Sequence, residues 1–116
     1  MKYLCLMYFE SRRFGEMSQG ELAAFQADCD SHDTAMKKSG HLIRAEALQS
    51  VEKATTLRLR NARLSATDGP FAETKEQLCG FVLIEAPDLD EAIRVASRSP
   101  FAKVGSVEVR PVMEHP

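Results

Sequence analysis

Two stretches of the chain, residues 3–9 and 79–86, are apolar almost throughout. A strand with one wet face alternates apolar and polar side chains, and these two do not. Each is therefore expected at the centre of a sheet, covered on both sides. Two further stretches carry more polar residues. Residues 41–48 read as a strand with one polar side, and residues 105–112 alternate before meeting Pro111, the habit of an edge strand.

Helical patterns separate these strands. Ser18 and Glu21 have the spacing of a capping box, and Met17 and Leu22 that of a hydrophobic staple. Leu22, Phe25, Cys29, His32 and Met36 then recur at steps of three and four, which makes one helix face. Lys37 and Lys38 suit the negative end of the helix dipole, and Gly40 a left-handed stop. The spacing predicts a helix over 18–39. Asp88 and Glu91 repeat the capping pattern ahead of the stripe Leu89, Ala92, Ile93 and Ala96, and Pro100 ends that helix near 97–99. Residues 10–17 read as a loop, and the charged segment 72–78 as one helical turn.

Between the two halves, residues 55–60 alternate cleanly. Asn61-Ala62 then turns the chain into 63–67, although Asn-Gly would be the stronger pair for such a turn. The order is βαβ, an inserted hairpin, then βαβ. With strands 1 and 3 central, this is an α+β ferredoxin-like βαββαβ sheet in the order 4-1-3-2, with two helices on one face. Two helices cover only one face. The other is expected to meet a second copy, giving a homodimer with sheets face to face.

The composition bounds the rest. With 116 residues, 44% of them apolar, the chain reads as a single domain over 1–116 that buries roughly two thirds of its unfolded surface. A net charge of −2 supplies no basic field, so no direct nucleic-acid contact is expected. The apolar start breaks off at Glu10, too early for a secretory leader, and no run spans a membrane. A cytoplasmic location follows as the expectation. Three cysteines without CxxC spacing suggest neither a disulfide framework nor a zinc knuckle. No metal or other cofactor is expected.

Candidate chemistry centres on His32, the side chain that most readily exchanges a proton near neutral pH. Asp68 or Glu46 are its conceivable carboxylate partners across the fold. The alternative is a half-buried histidine satisfied by Asp28. Cys29 lies mid-helix, away from an electropositive N-terminus, and reads as packing rather than as a nucleophile. In Asp68-Gly69-Pro70-Phe71, Gly and Pro set a rigid turn. That turn either places Asp68, Glu73 and Lys75 on the rim of a cleft, with Glu46, Phe71, Glu73 and Lys75 as candidate ligand contacts, or is structural, with Phe71 anchoring it to the core.

The segment from Asp68 to Gln77, with Gly80-Phe81, Glu85 to Ala92 and Val107 to Val112, resembles the DGPF-type, YCII-related proteins. The resemblance covers nearly the whole chain. It implies a dimeric α/β-barrel arrangement of the ferredoxin-like fold. It also implies an accessory or ligand-sensing role beside sigma factors in transcription initiation, with a sigma factor and a small molecule as partners. Some YCII-like relatives carry a His on the first helix and an Asp before a Pro after the second, thought to be a catalytic pair. Those positions fall on Cys29 and Ser99 here, so the pair does not carry over. An acid–base enzyme using His32 with a carboxylate is the alternative.

Overall fold

The computed structural model describes residues 1–114. Its main sheet contains β1 (Lys2–Phe9), β2 (Leu42–Ala47), β5 (Gln77–Glu85) and β6 (Ser106–Pro111), in the order β2-β5-β1-β6 with all neighbours antiparallel. Strands β3 (Thr55–Arg60) and β4 (Arg63–Asp68) form a separate two-stranded ribbon. This is the expected ferredoxin-like α+β order with its inserted hairpin. The two apolar runs are the two central strands. No helix among the described residues is long and apolar enough to cross a membrane.

The main sheet has two unlike faces. Tyr3, Cys5, Met7, Val82 and Ile84 are buried on one. Met36 from α2 (Gln19–Lys38) and Ala92, Val95 and Ala96 from α3 (Leu89–Ala96) complete that core. Leu4, Leu6, Phe81 and Leu83 stand on the other face, in register with one another, half-buried and covered by neither helix. Burial therefore alternates along β1 although hydropathy does not.

Helix α2 starts at the expected cap. The Ser18 hydroxyl accepts from the Glu21 amide at 3.1 Å, and the Glu21 carboxylate accepts from the Ser18 amide at 3.0 Å. Gly40 follows its end with φ of 81°. The ribbon turns through Asn61 and Ala62, both at positive φ, as a two-residue hairpin turn requires.

Two expectations need correction. The loop 10–17 contains a short helix, α1 (Arg12–Glu16). Phe14 packs there on Phe9 with ring centroids 4.3 Å apart and rings tilted, a contact that the polar residues between them conceal. The charged segment 72–78 forms no helical turn; β5 begins at Gln77 instead. The Gln77 side-chain amide bonds back to the Thr74 carbonyl, and its Oε1 accepts from the Ser11 amide at 2.9 Å. A second short helix, α4 (Phe101–Val104), begins beyond Pro100. Phe101 meets Phe25 edge-on at 5.0 Å, which ties α4 to α2.

Candidate functional site

Between α2 and the sheet lies a cavity of about 540 Å³. The inward face of α2 supplies Leu22, Phe25, Cys29 and His32, the spacing that marked it in the sequence. The sheet supplies Met7, Cys79 and Val82, and the segment after α3 supplies Ser99 to Phe101. The lining is mainly apolar, with a few polar groups set into it, as small-molecule sites commonly are.

His32 is the most defined of these groups. Its Nε2 lies 3.0 Å from the carbonyl oxygen of Val95, near the end of α3. A carbonyl only accepts, so Nε2 carries the proton. In the neutral ring Nδ1 is then an acceptor. The alternative partner Asp28 is replaced by this backbone carbonyl, which the end of α3 brings beside His32.

Asp33 follows His32 and lines the same cavity. Burial pushes its carboxyl upward, against the pull of His32. Sequence reading passed over it; its one signal was its place four residues after Cys29, at the margin of the apolar face. Burial pushes the Cys29 thiol up to about 11, with the charges of Asp33, Asp30 and Asp28 adding to the effect. Cys79, across the cavity, is likewise raised to about 11 by burial, and its thiol bonds to the Met7 carbonyl at 3.4 Å. Both thiols are protonated at neutral pH and are poor nucleophiles. Ser99 is 7% exposed, and its hydroxyl accepts from the Phe101 amide at 3.3 Å. Cys29 and Ser99 thus meet at one cavity. Among the described residues no cluster of three metal-ligating side chains occurs.

Glu46 borders this cavity along β2, but it is in register with Phe81, so its side chain stands on the opposite face of the sheet, where Arg44 Nε donates to its carboxylate at 2.9 Å. Asp68 is not on the lining; it ends the separate ribbon, opposite Thr55. The structure therefore brings His32 and Asp33 to one cavity and brings neither the Glu46 carboxylate nor Asp68 there. Phe71 borders a second hollow of about 920 Å³, between the ribbon root and Tyr8 of β1. Phe71 is 79% exposed, so it does not anchor the turn to the core. The turn is held by the ribbon instead. The Gly69 amide donates to Ala54 at 2.7 Å, Thr56 Oγ1 to the Gly69 carbonyl at 2.8 Å, and Arg58 to the Phe71 carbonyl at 3.2 Å. Gly69 takes φ of 100°, which side chains resist. Glu73 borders a shallow depression beside Pro70, and Lys75 another beside Glu10 and Arg12.

The match to known sequences completes the picture. The model of the YCII-related domain matches residues 1–116. The chain belongs to the YCII-related family. It is 36% identical over 114 residues to an uncharacterized protein of Rhizobium meliloti (strain 1021), covering 97% of this chain and 92% of that relative. The YCII-related domain is thus present here with a cysteine and a serine facing its cavity.

One polar network lies outside the cavity and had no sequence signal. His41 Nε2 is 3.0 Å from Glu91 Oε2, and Arg94 Nη2 donates to the same carboxylate oxygen at 2.9 Å. It ties the start of β2 to α3. The Arg94 guanidinium, and next His41, pull the Glu91 carboxyl down to about 2.

Proposed function

We propose that this chain is a ligand-sensing accessory protein of sigma-factor-dependent transcription, acting as a homodimer. The observation that carries the ligand-sensing part is the cavity under α2. It offers apolar walls and one imidazole of set tautomer, while its thiols stay protonated. Such a site suits binding of a small, largely apolar molecule with one hydrogen-bond donor for His32 Nδ1. The sigma-factor part rests on the sequence resemblance, and the homodimer on the uncovered face of Leu4, Leu6, Phe81 and Leu83.

Affinity purification of the native protein, with the recovered partners and bound small molecules read by mass spectrometry, tests this reading. Recovery of a sigma factor, and of a molecule lost in a cavity-filling Cys29→Phe variant, is the expected result. Absence of any transcription component overturns the accessory role, and an empty cavity overturns the sensing role.

A second reading is an acid–base enzyme with His32 as base. The up-shifted Asp33 carboxyl beside it favours this. Turnover of any substrate that survives His32→Ala unchanged removes it.

A further inference from the structure

The β3–β4 ribbon is amphipathic, and its apolar side faces water. Leu57 pairs with Ala66 and Leu59 with Leu64, so all four side chains share one face. The three leucines are 62%, 64% and 68% exposed in chain order. Arg58, Arg60 and Arg63 stand on the opposite face with Thr56, and that face holds the Gly69–Phe71 turn through Thr56 and Arg58. Among the described residues no other strand or helix packs extensively along the ribbon. A lone two-stranded ribbon is marginally stable in water, and one with three bare leucines is also prone to associate. The molecule is flat and spread, 48 × 48 × 18 Å, with a radius of gyration of 16.2 Å. A compact chain of this size measures about 13–14 Å.

We infer that the ribbon is a dimerisation arm: its leucine face seats on a second copy of this chain. The inference rests on the homodimer proposed above and specifies how it is held. Area argues for it. Four strands about 4.8 Å apart, of six to nine residues each, give a sheet face of roughly 450 Å² in plan. A stable interface takes about 800 Å² from each partner. The sheet face by itself falls short, and the ribbon adds roughly 200 Å² in plan, which brings the surface on offer nearer to that figure. Closure argues for a second copy over another protein. Each chain carries one bare sheet face and one bare arm, and a two-fold pair covers both sets at once and then stops growing. The arm also rises beside the sheet face, since the hollow at its root is bordered by Thr55 of the arm and Tyr8 of β1. A copy seated on the sheet face therefore lies next to the arm and roofs that hollow.

The test compares the full-length protein with two variants by sedimentation equilibrium. One is Leu57→Ser/Leu59→Ser/Leu64→Ser, whose side chains are exposed and leave the fold intact, as circular dichroism verifies. The other is Leu83→Arg on the sheet face. The wild type is expected to be a dimer, and the arm variant to dissociate with a Kd at least ~100-fold higher. Hydrogen exchange at residues 55–68 is expected to slow as protein concentration rises through the wild-type Kd. An arm variant as tight as wild type, while Leu83→Arg dissociates, overturns the arm and leaves the sheet-face dimer standing. A dissociated arm variant beside an intact Leu83→Arg dimer supports the arm and overturns the sheet-face contact. A monomeric wild type overturns both.

Discussion

His32 on α2 donates from Nε2 to the main-chain carbonyl of Val95 on α3, at 3.0 Å. One side chain thus fixes the spacing of the two helices that roof the sheet and presents an acceptor nitrogen. His32→Ala is expected to cost about 1–2 kcal/mol of stability, the value of a half-buried hydrogen bond with its packing. Urea denaturation measures this. A cost near zero would show that the bond does not hold the helices.

The thiols of Cys29 and Cys79 are held near 11 by burial. Well below pH 9, the ordinary thiol value, both are neutral in the folded and unfolded chain. As pH rises from 9 towards 11 the unfolded chain ionises them first, so stability falls in that window. Alkylation by iodoacetamide at pH 7.5 is expected to be at least ~10-fold slower in the folded protein than in urea. Mass spectrometry of the two cysteine peptides reads it, and equal rates would contradict the burial argument.

Glu91 behaves in the opposite sense. Its carboxyl is depressed to about 2 by Arg94 and His41, below the ordinary glutamate value. The stability it supplies is full above about pH 4.5 and is lost as pH falls towards 2. Glu91→Gln is expected to lower the melting temperature at pH 6 and to leave it nearly unchanged at pH 2. Thermal melts at the two pH values check this, and parallel losses at both would reject the linkage.

Gly105 lies where a Cβ would sit 2.0 Å from the Tyr8 carbonyl oxygen. That atom belongs to the backbone of central strand β1 and has little freedom to move. Gly105→Ala is expected to destabilise by about 2–3 kcal/mol through forced overpacking. Gly15→Ala, with nothing within 4 Å of the added carbon, is the control and is expected to be near neutral or slightly stabilising. Chemical denaturation of the pair decides the matter.

The strand and helix order, the capping of α2 at Ser18 and the hairpin at 61–62 were legible from the chain because they depend on local hydropathy period and on side chains within a few residues. Family membership was legible for the same reason: its marks are short runs such as Asp68 to Phe71. The inward face Leu22-Phe25-Cys29-His32 was visible as well, and it does line the cavity. What α2 meets there was not visible. His32 finds a carbonyl 63 residues away, and His41 finds Glu91 across 50 residues. Asp68 stays off the His32 cavity because the ribbon stands away from the sheet, and Phe71 is left in water for the same reason. Such outcomes rest on how separately formed elements dock, and that is a property of packed surfaces rather than of spacing along the chain.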